Sequence, residues 1–345
     1  MPTPSATLPL QYIRLIGDQL ERMGVRVAGW LAASGLTPRW LRDPRSTIEF
    51  AQFRELVMRA VAMSNEEALG LLVGERLLAS THGLLGYAAL SSGTTRQAIE
   101  VFERFTRLRA PFLDVGHTVR AGKVRVQIVE ALPLGEVQRS VLEAVVLSVK
   151  NLLDSISLGT FRVVRVSFPF PAPPYASLAR EMFDCDVAYG QSWTGLTIPE
   201  SALDVPLRMA DPNAFEEAAA ICERELEKLR ANESLAARVR RLLLEKQNGF
   251  PSLHLTARLC HLTARTLHRR LLNEGTSYRA LLEDIRETLA IEHLRHGHFS
   301  IKEIAFTLGY SDVANFRRAF KRWKRVPPSV HRELAERRAR KAKSR

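Results

Sequence analysis

A short stretch near the C-terminus, SDVANFRRAFKRW (residues 311–323), combines four basic side chains with three large aromatic ones. Guanidinium groups can form bidentate hydrogen bonds with guanine, and both Arg and Lys neutralise phosphates. On a helical wheel the aromatic side chains share one face, and the basic side chains project from the opposite face. The stretch therefore predicts an amphipathic helix with an anchoring face and a face that can bind a polyanion. The first face comprises Phe316, Phe320 and Trp323, and the second Arg317, Arg318 and Lys321.

The residues before this helix predict the other half of a helix-turn-helix unit, which spans residues 300–325. Ser300 and Glu303 have the spacing of a capping box, which starts a helix. Gly309 suits the left-handed position that ends that helix. Ser311 is then the expected N-cap of the basic helix. A short helix, a turn with glycine and a second helix form the helix-turn-helix pattern.

A similar unit is predicted upstream, over residues 253–275, in LHLTARLCHLTARTLHRRLLNEG. Its first helix is LTARLC, its turn is His-Leu, and Thr263 is the expected N-cap of the second helix. On that second helix Arg265 and Arg269 point outwards, with His268 on the flank. Two units in tandem make an accidental match much less plausible than one unit alone.

The segment between the units, SYRALLEDIRETLAIEHLRHG, repeats apolar residues every four positions and predicts one long helix. A helix of roughly 20 residues spans about 30 Å. This length is close to the repeat of one DNA turn, about 34 Å, so the two basic helices could enter successive major grooves.

The net charge of +13 is concentrated in the same part of the chain. Residues 1–205 carry +1 and residues 206–345 carry +12. A basic tail at residues 335–345 accounts for part of this excess, but residues 206–335 still carry +7. Such asymmetry indicates a polyanionic partner, and double-stranded DNA is the partner predicted.

The first 205 residues predict an α+β domain with a modest sheet. HTVRAGKVRVQIVE reads as a hairpin with its turn at Ala121-Gly122, and residues 161–170 read as a strand. Residues 185–199 read as a strand region broken by Gly190 and Gly195, and GEVQRSVLEAVVLSVKNLLDSI reads as a long helix. Two prolines without periodicity place a boundary near residues 203–213.

These patterns predict an α+β N-terminal domain and an all-α C-terminal domain with two helix-turn-helix units joined by a long helix. The predicted divisions are residues 1–205 for the α+β domain, 206–234 for a helical linker and 235–334 for the helix-turn-helix domain. The family resemblance described below implies a regulatory role for the first domain and supports the bounds of the last one.

The remaining chemistry-bearing residues favour no enzyme and no cofactor. The cysteines, Cys185, Cys222 and Cys260, lie far apart without the CxxC spacing of zinc sites, and a reducing cytoplasm fits them. Neither a signal-peptide pattern nor an apolar run long enough to span a membrane is seen. His293, His296 and His298 lie close together in the sequence, but Gly297 is expected to end the helix that would have to place them on one face. No metal site is therefore predicted.

Two segments of the C-terminal third also carry a family resemblance. IKEIAFTLGYSDVANFRRAFKRW, followed by PPSVHR, closely resembles the C-terminal signature of the AraC/XylS family of bacterial transcription regulators. LTARLCHLTARTLHRRLLNEGTSYRALLEDIRETLAIEHLR resembles the upstream half of the same DNA-binding domain. The resemblance covers roughly residues 235–334 and implies sequence-specific DNA binding.

The resemblance also implies residue roles. The residues that would read bases are Arg265, His268 and Arg269 in the first unit and Val313, Ala314, Arg317 and Arg318 in the second. The residues that we expect at phosphates are Thr263, Ser311, Lys321 and Arg322. The sequence departs from the family at Arg325, where glycine is frequent, and at His331, where tyrosine is frequent. An arginine at a helix C-cap is costly unless the turn differs.

The N-terminal half resembles the arabinose-binding-type regulatory domain of one branch of that family, through residues 81–105 and 194–212. This resemblance implies a domain that binds a small-molecule effector or dimerises, without implying arabinose as the ligand. His82, Tyr87 and Trp193 lie in or beside these segments and are candidate effector contacts, although structural packing is the favoured explanation for them. Further expected partners are a second copy of the chain and, for an activator, RNA polymerase.

Two alternatives to an effector-controlled regulator stay open. The N-terminal domain could serve only in oligomerisation, which no sequence feature separates from ligand response. An enzyme fused to the same DNA-binding module, such as a DNA-alkyl acceptor, would need a reactive cysteine and a cysteine–zinc cluster. The spacing of the three cysteines provides neither.

Overall fold

The computed structural model describes residues 7–42, 46–231, 234–244, 249–296 and 299–333. The chain forms two compact units, Met1–Leu229 and Arg230–Arg345. The basic tail at residues 335–345 and His298 of the histidine group lie outside the described residues.

The first unit mixes helices with short strands. In chain order its elements are β1 (Thr7–Pro9), α1 (Gln11–Arg22), α2 (Val27–Ala32), α3 (Pro38–Arg42), β2 (Thr47–Glu49), α4 (Phe50–Ser64), α5 (Leu69–Gly74), α6 (Leu84–Leu90), α7 (Thr95–Phe105), β3 (Leu113–Arg120), β4 (Lys123–Glu130), α8 (Gln138–Ser157), β5 (Arg165–Ser167), α9 (Ala176–Phe183), β6 (Asp186–Ala188), β7 (Thr194–Pro199) and α10 (Pro212–Ala231). Single 3₁₀ turns at Ala79–His82, Thr106–Leu108, Gly135–Val137 and Glu200–Ala202 connect several of them.

The main sheet of this unit has five strands in the order β3-β4-β7-β5-β6. Adjacent strands of this sheet are antiparallel, except for β5 and β6, which are parallel. The predicted hairpin is confirmed, with Ala121 and Gly122 at its tip, where both have positive φ angles of 51° and 71°. β1 and β2 form a separate antiparallel pair.

Two strand predictions need correction. The strand expected over residues 161–170 is limited to Arg165–Ser167. Gly195 does not interrupt a strand but lies inside β7, paired with Gln127 of β4. Its φ is 143°, and a Cβ atom there would lie 2.0 Å from the carbonyl oxygen of Val126, so only glycine fits the close approach of these strands.

One apolar core fills the first unit. The long helix α8 buries side chains along most of its length, including Leu142, Leu147 and Leu153. α10, which the sequence placed in a linker, buries Ala218, Cys222 and Leu226 in the same core. Burial of one face of α10 explains why the compact unit extends to Leu229.

The described part of the second unit is helical and contains no strand. Its elements are α11 (Leu235–Leu244), α12 (Leu253–Leu259), α13 (Ala264–Asn273), α14 (Tyr278–His296), α15 (Ile301–Thr307) and α16 (Val313–Lys324). Residues 328–333 are also helical. The α+β and all-helical units confirm the predicted fold class.

The second unit has two small cores that share one helix. Helices α11, α12 and α13 pack around Leu281 and Ile285 of α14. Helices α15 and α16 pack around Ala290 and Leu294 of the same helix. Leu289 contacts both cores. The predicted long helix is therefore the common support of both helix-turn-helix units.

A buried carboxyl group lies inside the first unit, on α8. Glu143 is fully buried, and the hydroxyl of Tyr175 lies 3.1 Å from each of its carboxyl oxygens. Burial raises the pKa of Glu143 to about 8, against the opposing effects of the Tyr175 hydrogen bond and the Arg139 charge. The folded protein therefore holds a proton on Glu143 at pH values where the unfolded chain has released it.

Replacing Glu143 should remove a pH dependence of stability. Between pH 4.5 and about 8 the unfolded chain binds fewer protons at this position than the folded protein, so the stability contribution is lost as pH rises. We expect the free energy of unfolding of the wild type to fall by about 3–5 kcal/mol relative to Glu143→Gln over this range. Denaturant titrations at several pH values measure the difference. Glu21→Gln, at an exposed position, is the control; equal pH slopes for the wild type and Glu143→Gln would contradict the prediction.

Candidate nucleic-acid interface and a cavity in the first unit

The second helix of the upstream unit, α13, is anchored by apolar side chains and exposes basic ones. Thr263 is its N-cap as predicted, and its hydroxyl oxygen accepts a hydrogen bond from the backbone N–H of Thr266 at 3.1 Å. Leu267 and Leu271 are fully buried. The predicted base-reading residues of this unit are all exposed: Arg265, His268 and Arg269.

The corresponding helix of the downstream unit, α16, begins one residue later than predicted. Asp312, not Ser311, is the N-cap, and its carboxylate accepts a hydrogen bond from the backbone N–H of Asn315 at 2.7 Å. The turn between α15 and α16 is one residue longer than the turn between α12 and α13. This extra residue moves the cap position from Ser311 to Asp312, whose charge also suits a helix N-terminus.

The two faces predicted for α16 are present. Phe316 and Phe320 are fully buried, and Trp323 packs against the same core. The ring centroids of Phe316 and Phe320 are 5.9 Å apart, and those of Phe320 and Trp323 are 6.3 Å apart. The exposed side chains of this helix include Ala314, Arg317, Arg318 and Lys321. Val313, which the resemblance placed at the bases, is half-buried against the core.

The basic residues of α16 differ in their partners. The guanidinium of Arg318 donates a hydrogen bond to the side-chain oxygen of Asn315 at 2.6 Å, which directs it along the N-terminal half of the helix. Arg322, a predicted phosphate contact, forms an ion pair with Glu283 of α14 at 3.0 Å. Lys324 pairs with Glu287 of α14 at 2.8 Å. The C-terminal end of α16 is thus tied to the supporting helix, while its N-terminal end projects.

Both helix-turn-helix turns use a left-handed residue at the same place. After α12 this residue is His261, with φ 57°, and the N–H of Leu262 bonds to the carbonyl of Ala257 at 2.8 Å. After α15 it is Gly309, with φ 71°, and the N–H of Tyr310 bonds to the carbonyl of Ala305 at 3.0 Å. These are the hydrogen bonds of a Schellman-type helix end. The same local geometry therefore closes both supporting helices.

Arg286 of α14 contacts residues of both helix-turn-helix units. Its guanidinium donates to the carbonyl oxygens of Leu308, at 2.8 Å, and Gly309, at 3.2 Å, at the end of α15. The same group lies 5.5 Å from the ring centroid of Phe250 and 4.7 Å from that of Tyr310. Phe250 packs in the upstream core and Tyr310 in the downstream core. The guanidinium of Arg286 therefore packs against side chains of both helix-turn-helix units.

Helix α16 ends at Arg325, where glycine is frequent in the family that the sequence resembles. Arg325 is the C-cap of α16 and takes the left-handed conformation, with φ 63°. Its N–H bonds to the carbonyl of Lys321 at 2.9 Å, so the turn is kept although glycine is absent. His331 packs edge-on against Phe320, with 5.4 Å between ring centroids. The following helical residues thereby close the aromatic core.

The first unit contains a cavity of about 120 Å³ between its helices and the edge strand β3. Its walls come mainly from α1, α4, α5 and α8, and nearly all are aliphatic or aromatic. Gly70 of α5 allows close contact with α8, since a Cβ atom there would lie 2.3 Å from the carbonyl oxygen of Ser140. A cavity of about 150 Å³ with similar walls can hold benzene, so the size suits a small organic ligand.

A chain of hydrogen bonds between uncharged groups lies at one end of the cavity. The Tyr12 hydroxyl lies 3.3 Å from Nδ1 of His82, and Nε2 of His82 lies 2.7 Å from the Ser148 hydroxyl. That hydroxyl donates to the carbonyl oxygen of Leu77 at 3.2 Å. Burial lowers the pKa of His82 to about 4, and the charge of Arg109 adds to the effect. His82 is therefore neutral at physiological pH.

Arg109 lies at the same end of the cavity. One terminal N–H group donates to the carbonyl oxygen of Thr81 at 3.3 Å, and the guanidinium lies 5.7 Å from the ring centroid of Tyr12. Its Nε atom is buried without a hydrogen-bond partner. Among the described residues that line the cavity, Arg109 is the one Arg, Lys, Asp or Glu.

The three residues predicted from the sequence as effector contacts are not brought together. His82 lines the cavity, whereas Tyr87 is 52% exposed and is not part of the lining. Trp193 is outside the lining too, and Arg125 of β4 stacks over its ring at 5.3 Å. Sequence reasoning missed Tyr12, Arg109 and Ser148, which converge on His82 from distant parts of the chain. A basic residue just beyond an amphipathic helix was the available signal for Arg109, and it is a weak one.

Comparison with known proteins decides what these two units are. Residues 24–207 match the arabinose-binding N-terminal domain of AraC transcription regulators, which is more than half of the chain. Residues 256–334 match a helix-turn-helix domain. The chain belongs to the AraC family of transcription regulators.

Relatives of this AraC-family chain resemble it along nearly its whole length. It is 33% identical to the Ornithine utilization regulator of Pseudomonas aeruginosa over 94% of this chain and 96% of the relative. It is 28% identical to an HTH-type transcriptional regulator of Mycobacterium tuberculosis, over 94% and 95% of the two chains. The solved structure of the transcriptional regulator CdpR from Pseudomonas aeruginosa covers 91% of this chain and 98% of its own, at 25% identity and a TM-score of 0.43.

Family membership fixes the broad activity. The AraC-family chain is a DNA-binding transcription regulator and not an enzyme. In the described part of the chain no group of three or more His, Cys, Asp or Glu side chains is placed to hold a metal ion. None of the described helices is long and apolar enough to cross a membrane.

Truncation of Arg286 should loosen the connection between the helix-turn-helix units. Arg286→Ala removes two charge-assisted hydrogen bonds and two cation–π contacts, and we expect unfolding of the second unit to require about 2–4 kcal/mol less. Arg286→Lys keeps the charge without the planar fork and should be intermediate. Denaturant unfolding of the full chain measures the loss. Arg279→Ala is the matched control on the same helix, because Arg279 is 84% exposed; equal stability of the two alanine variants would contradict the role of Arg286.

Truncation of Arg318 should change DNA recognition without changing stability. If Arg318 reads a base, Arg318→Ala costs about 1–3 kcal/mol of binding and relaxes base preference at one operator position. If it binds a phosphate instead, affinity falls evenly across sequences and the salt dependence becomes shallower. Footprinting and salt titrations distinguish these results. Arg162→Ala, at an exposed position of the first unit, is the control; unchanged affinity and salt dependence for Arg318→Ala would remove it from the interface.

Proposed function

We propose that this AraC-family regulator reads an operator with both exposed helix faces and that a small molecule in the cavity of the first unit controls the outcome. The observation that carries the effector part is the cavity itself. Its apolar walls end in a cluster of polar groups, which is the arrangement expected of a small-molecule site.

Base reading is proposed for the exposed residues of α13 and α16 that the family resemblance indicates. Arg265, His268 and Arg269 project from α13, and Ala314, Arg317 and Arg318 project from α16. Val313 keeps its proposed place at the bases through the exposed part of a half-buried side chain. Thr263, Ser311, Lys321 and Arg322 are the proposed phosphate contacts. For Arg322 this contact competes with the ion pair to Glu283.

A route from the cavity towards the DNA-binding unit runs through α10. This helix buries Cys222 in the core to which side chains of the cavity wall also belong. α10 is the last element of the first unit along the chain. A ligand that displaces side chains of that wall would therefore change the surroundings of the helix from which the second unit continues.

Ornithine is not the effector that the cavity favours, although one relative is named for ornithine utilisation. Ornithine carries two ammonium groups and one carboxylate. The described lining of the cavity includes neither Asp nor Glu, so each ammonium group would be buried without a counter-ion.

The main alternative is a first unit that only oligomerises. Such a unit has no need for a cavity with a polar end, and the cavity therefore favours the effector proposal. A homodimer and contact with RNA polymerase stay predictions from the sequence, and control by a ligand is compatible with both.

Filling the cavity should abolish the response to an effector but not DNA binding. Val145 of α8 lines the cavity, and Val145→Phe would occupy part of its volume. With a panel of metabolites, we expect some compound to raise the melting temperature of the wild type and to change its operator affinity. A ligand at 100 times its dissociation constant stabilises by about 2.7 kcal/mol.

The filled variant should bind the operator normally and show neither effect. Leu158→Phe, at an exposed position beyond the end of the same helix, is the matched control. An effector response that persists unchanged in Val145→Phe would show that the cavity is not the effector site.

A further inference from the structure

An uncompensated positive charge lies beside the apolar cavity of the first unit. Arg109 forms no ion pair with any described residue, and the groups nearest to it at that end of the cavity are neutral. Arg109 is half-buried, and withdrawing a cation from water without a counter-ion has a free-energy cost that proteins usually avoid by pairing the charge. An anionic ligand would supply the missing partner.

The neutral groups beside Arg109 are already satisfied. If Tyr12 donates to Nδ1 of His82, Nε2 of His82 donates to Ser148, and Ser148 donates to the carbonyl of Leu77, then every hydrogen of that chain has an acceptor. The chain therefore needs no ligand to complete it. In contrast, the Nε–H group of Arg109 is buried without an acceptor. The unfilled hydrogen-bonding capacity of this end belongs to the guanidinium.

The rest of the cavity restricts the body of the ligand. Its lining is dominated by side chains such as Phe53, Leu69, Val73 and Phe112, which offer no hydrogen bonds. A sugar with several hydroxyl groups would lose its hydration there without compensation. A volume of about 120 Å³ suits one ring or a short alkyl chain.

We propose that the cavity binds a compact apolar monocarboxylic acid, whose carboxylate pairs with the guanidinium of Arg109 while its hydrocarbon body fills the apolar remainder. This inference rests on the proposed function and adds the chemical class of the effector. A carboxylate matches the planar fork of a guanidinium, and such a charge-assisted pair is about twice as strong as a neutral hydrogen bond. Tyr12, stacked beside the guanidinium, would position rather than neutralise it.

The test compares matched acids and amides on the full-length protein. The probes are hexanoate with hexanamide, and phenylacetate with phenylacetamide, each pair differing mainly in charge. Titration calorimetry should show the acid binding at least about ten-fold more tightly than its amide in the wild type, because the amide cannot neutralise the cation. An amide that binds as tightly as its acid would overturn the proposal, and this comparison requires no variant.

Variants then locate the preference. Arg109→Gln should lose the preference for the acid while keeping amide binding, and Arg109→Lys should keep part of it. Arg104→Gln is the control, because Arg104 lies nearby on α7 and pairs with Glu223 at 2.7 Å outside the cavity lining. Acid binding that is unchanged in Arg109→Gln would overturn the assignment of Arg109. If another metabolite binds and is blocked by Val145→Phe but neither acid binds, the carboxylate class is wrong and the proposed function stands.

Discussion

The DNA-binding unit depends on one helix that must be buried on two sides. Each helix-turn-helix unit of this chain has too few apolar residues to form an independent core, and each completes its core with side chains of α14. Leu281 and Ile285 serve the upstream core, and Ala290 and Leu294 serve the downstream one. Because both cores are built on one rigid helix, the two basic faces keep a fixed relation to each other. Arg286 strengthens this arrangement by contacting Phe250 on one side and the end of α15 on the other.

The charges of this unit are divided by the same helix. Glu283 and Glu287 of α14 neutralise Arg322 and Lys324, which face back towards the support. Arg317 and Lys321 are exposed and form no ion pair with any described residue. The positive charge visible in the sequence is therefore larger than the positive charge that the described surface of α16 offers to DNA. The net charge indicated which part of the chain binds nucleic acid. The contacts in the structure then distinguish basic side chains that pair with acids of the protein from those that are free to bind DNA.

Local signals made most of the second unit predictable. The Ser300–Glu303 capping box and the Thr263 cap depend on residues three positions apart, and both predictions are confirmed. The prediction of Ser311 as a cap was wrong because the turn after α15 is one residue longer than the turn after α12, and turn length depends on how the helices pack. Arg286 could not be predicted, since its partners lie more than 20 positions away in both directions along the chain. In the first unit, the strand at 161–170 was overestimated because a run of β-forming residues does not show where pairing stops.

The cavity marks the point at which sequence reasoning about function reached its limit. Three of its polar residues, Tyr12, His82 and Arg109, come from separate segments, and only His82 lay in a segment that resembled the family. What they can bind depends on their combination. The imidazole of His82 is neutral, the hydrogen-bond chain is complete, and the guanidinium of Arg109 pairs with no carboxylate among the described residues. A half-buried cation without a counter-ion is unfavourable, and a bound anion would reduce that cost. Cys222 of α10 is buried in the same core as side chains that line the cavity, so the cavity and the helix leading out of the first unit share one core. The cost of leaving Arg109 unpaired is the free energy that an anionic ligand in the proposed site would recover, and such a ligand would shift the protein only towards a conformation in which this pairing is stronger.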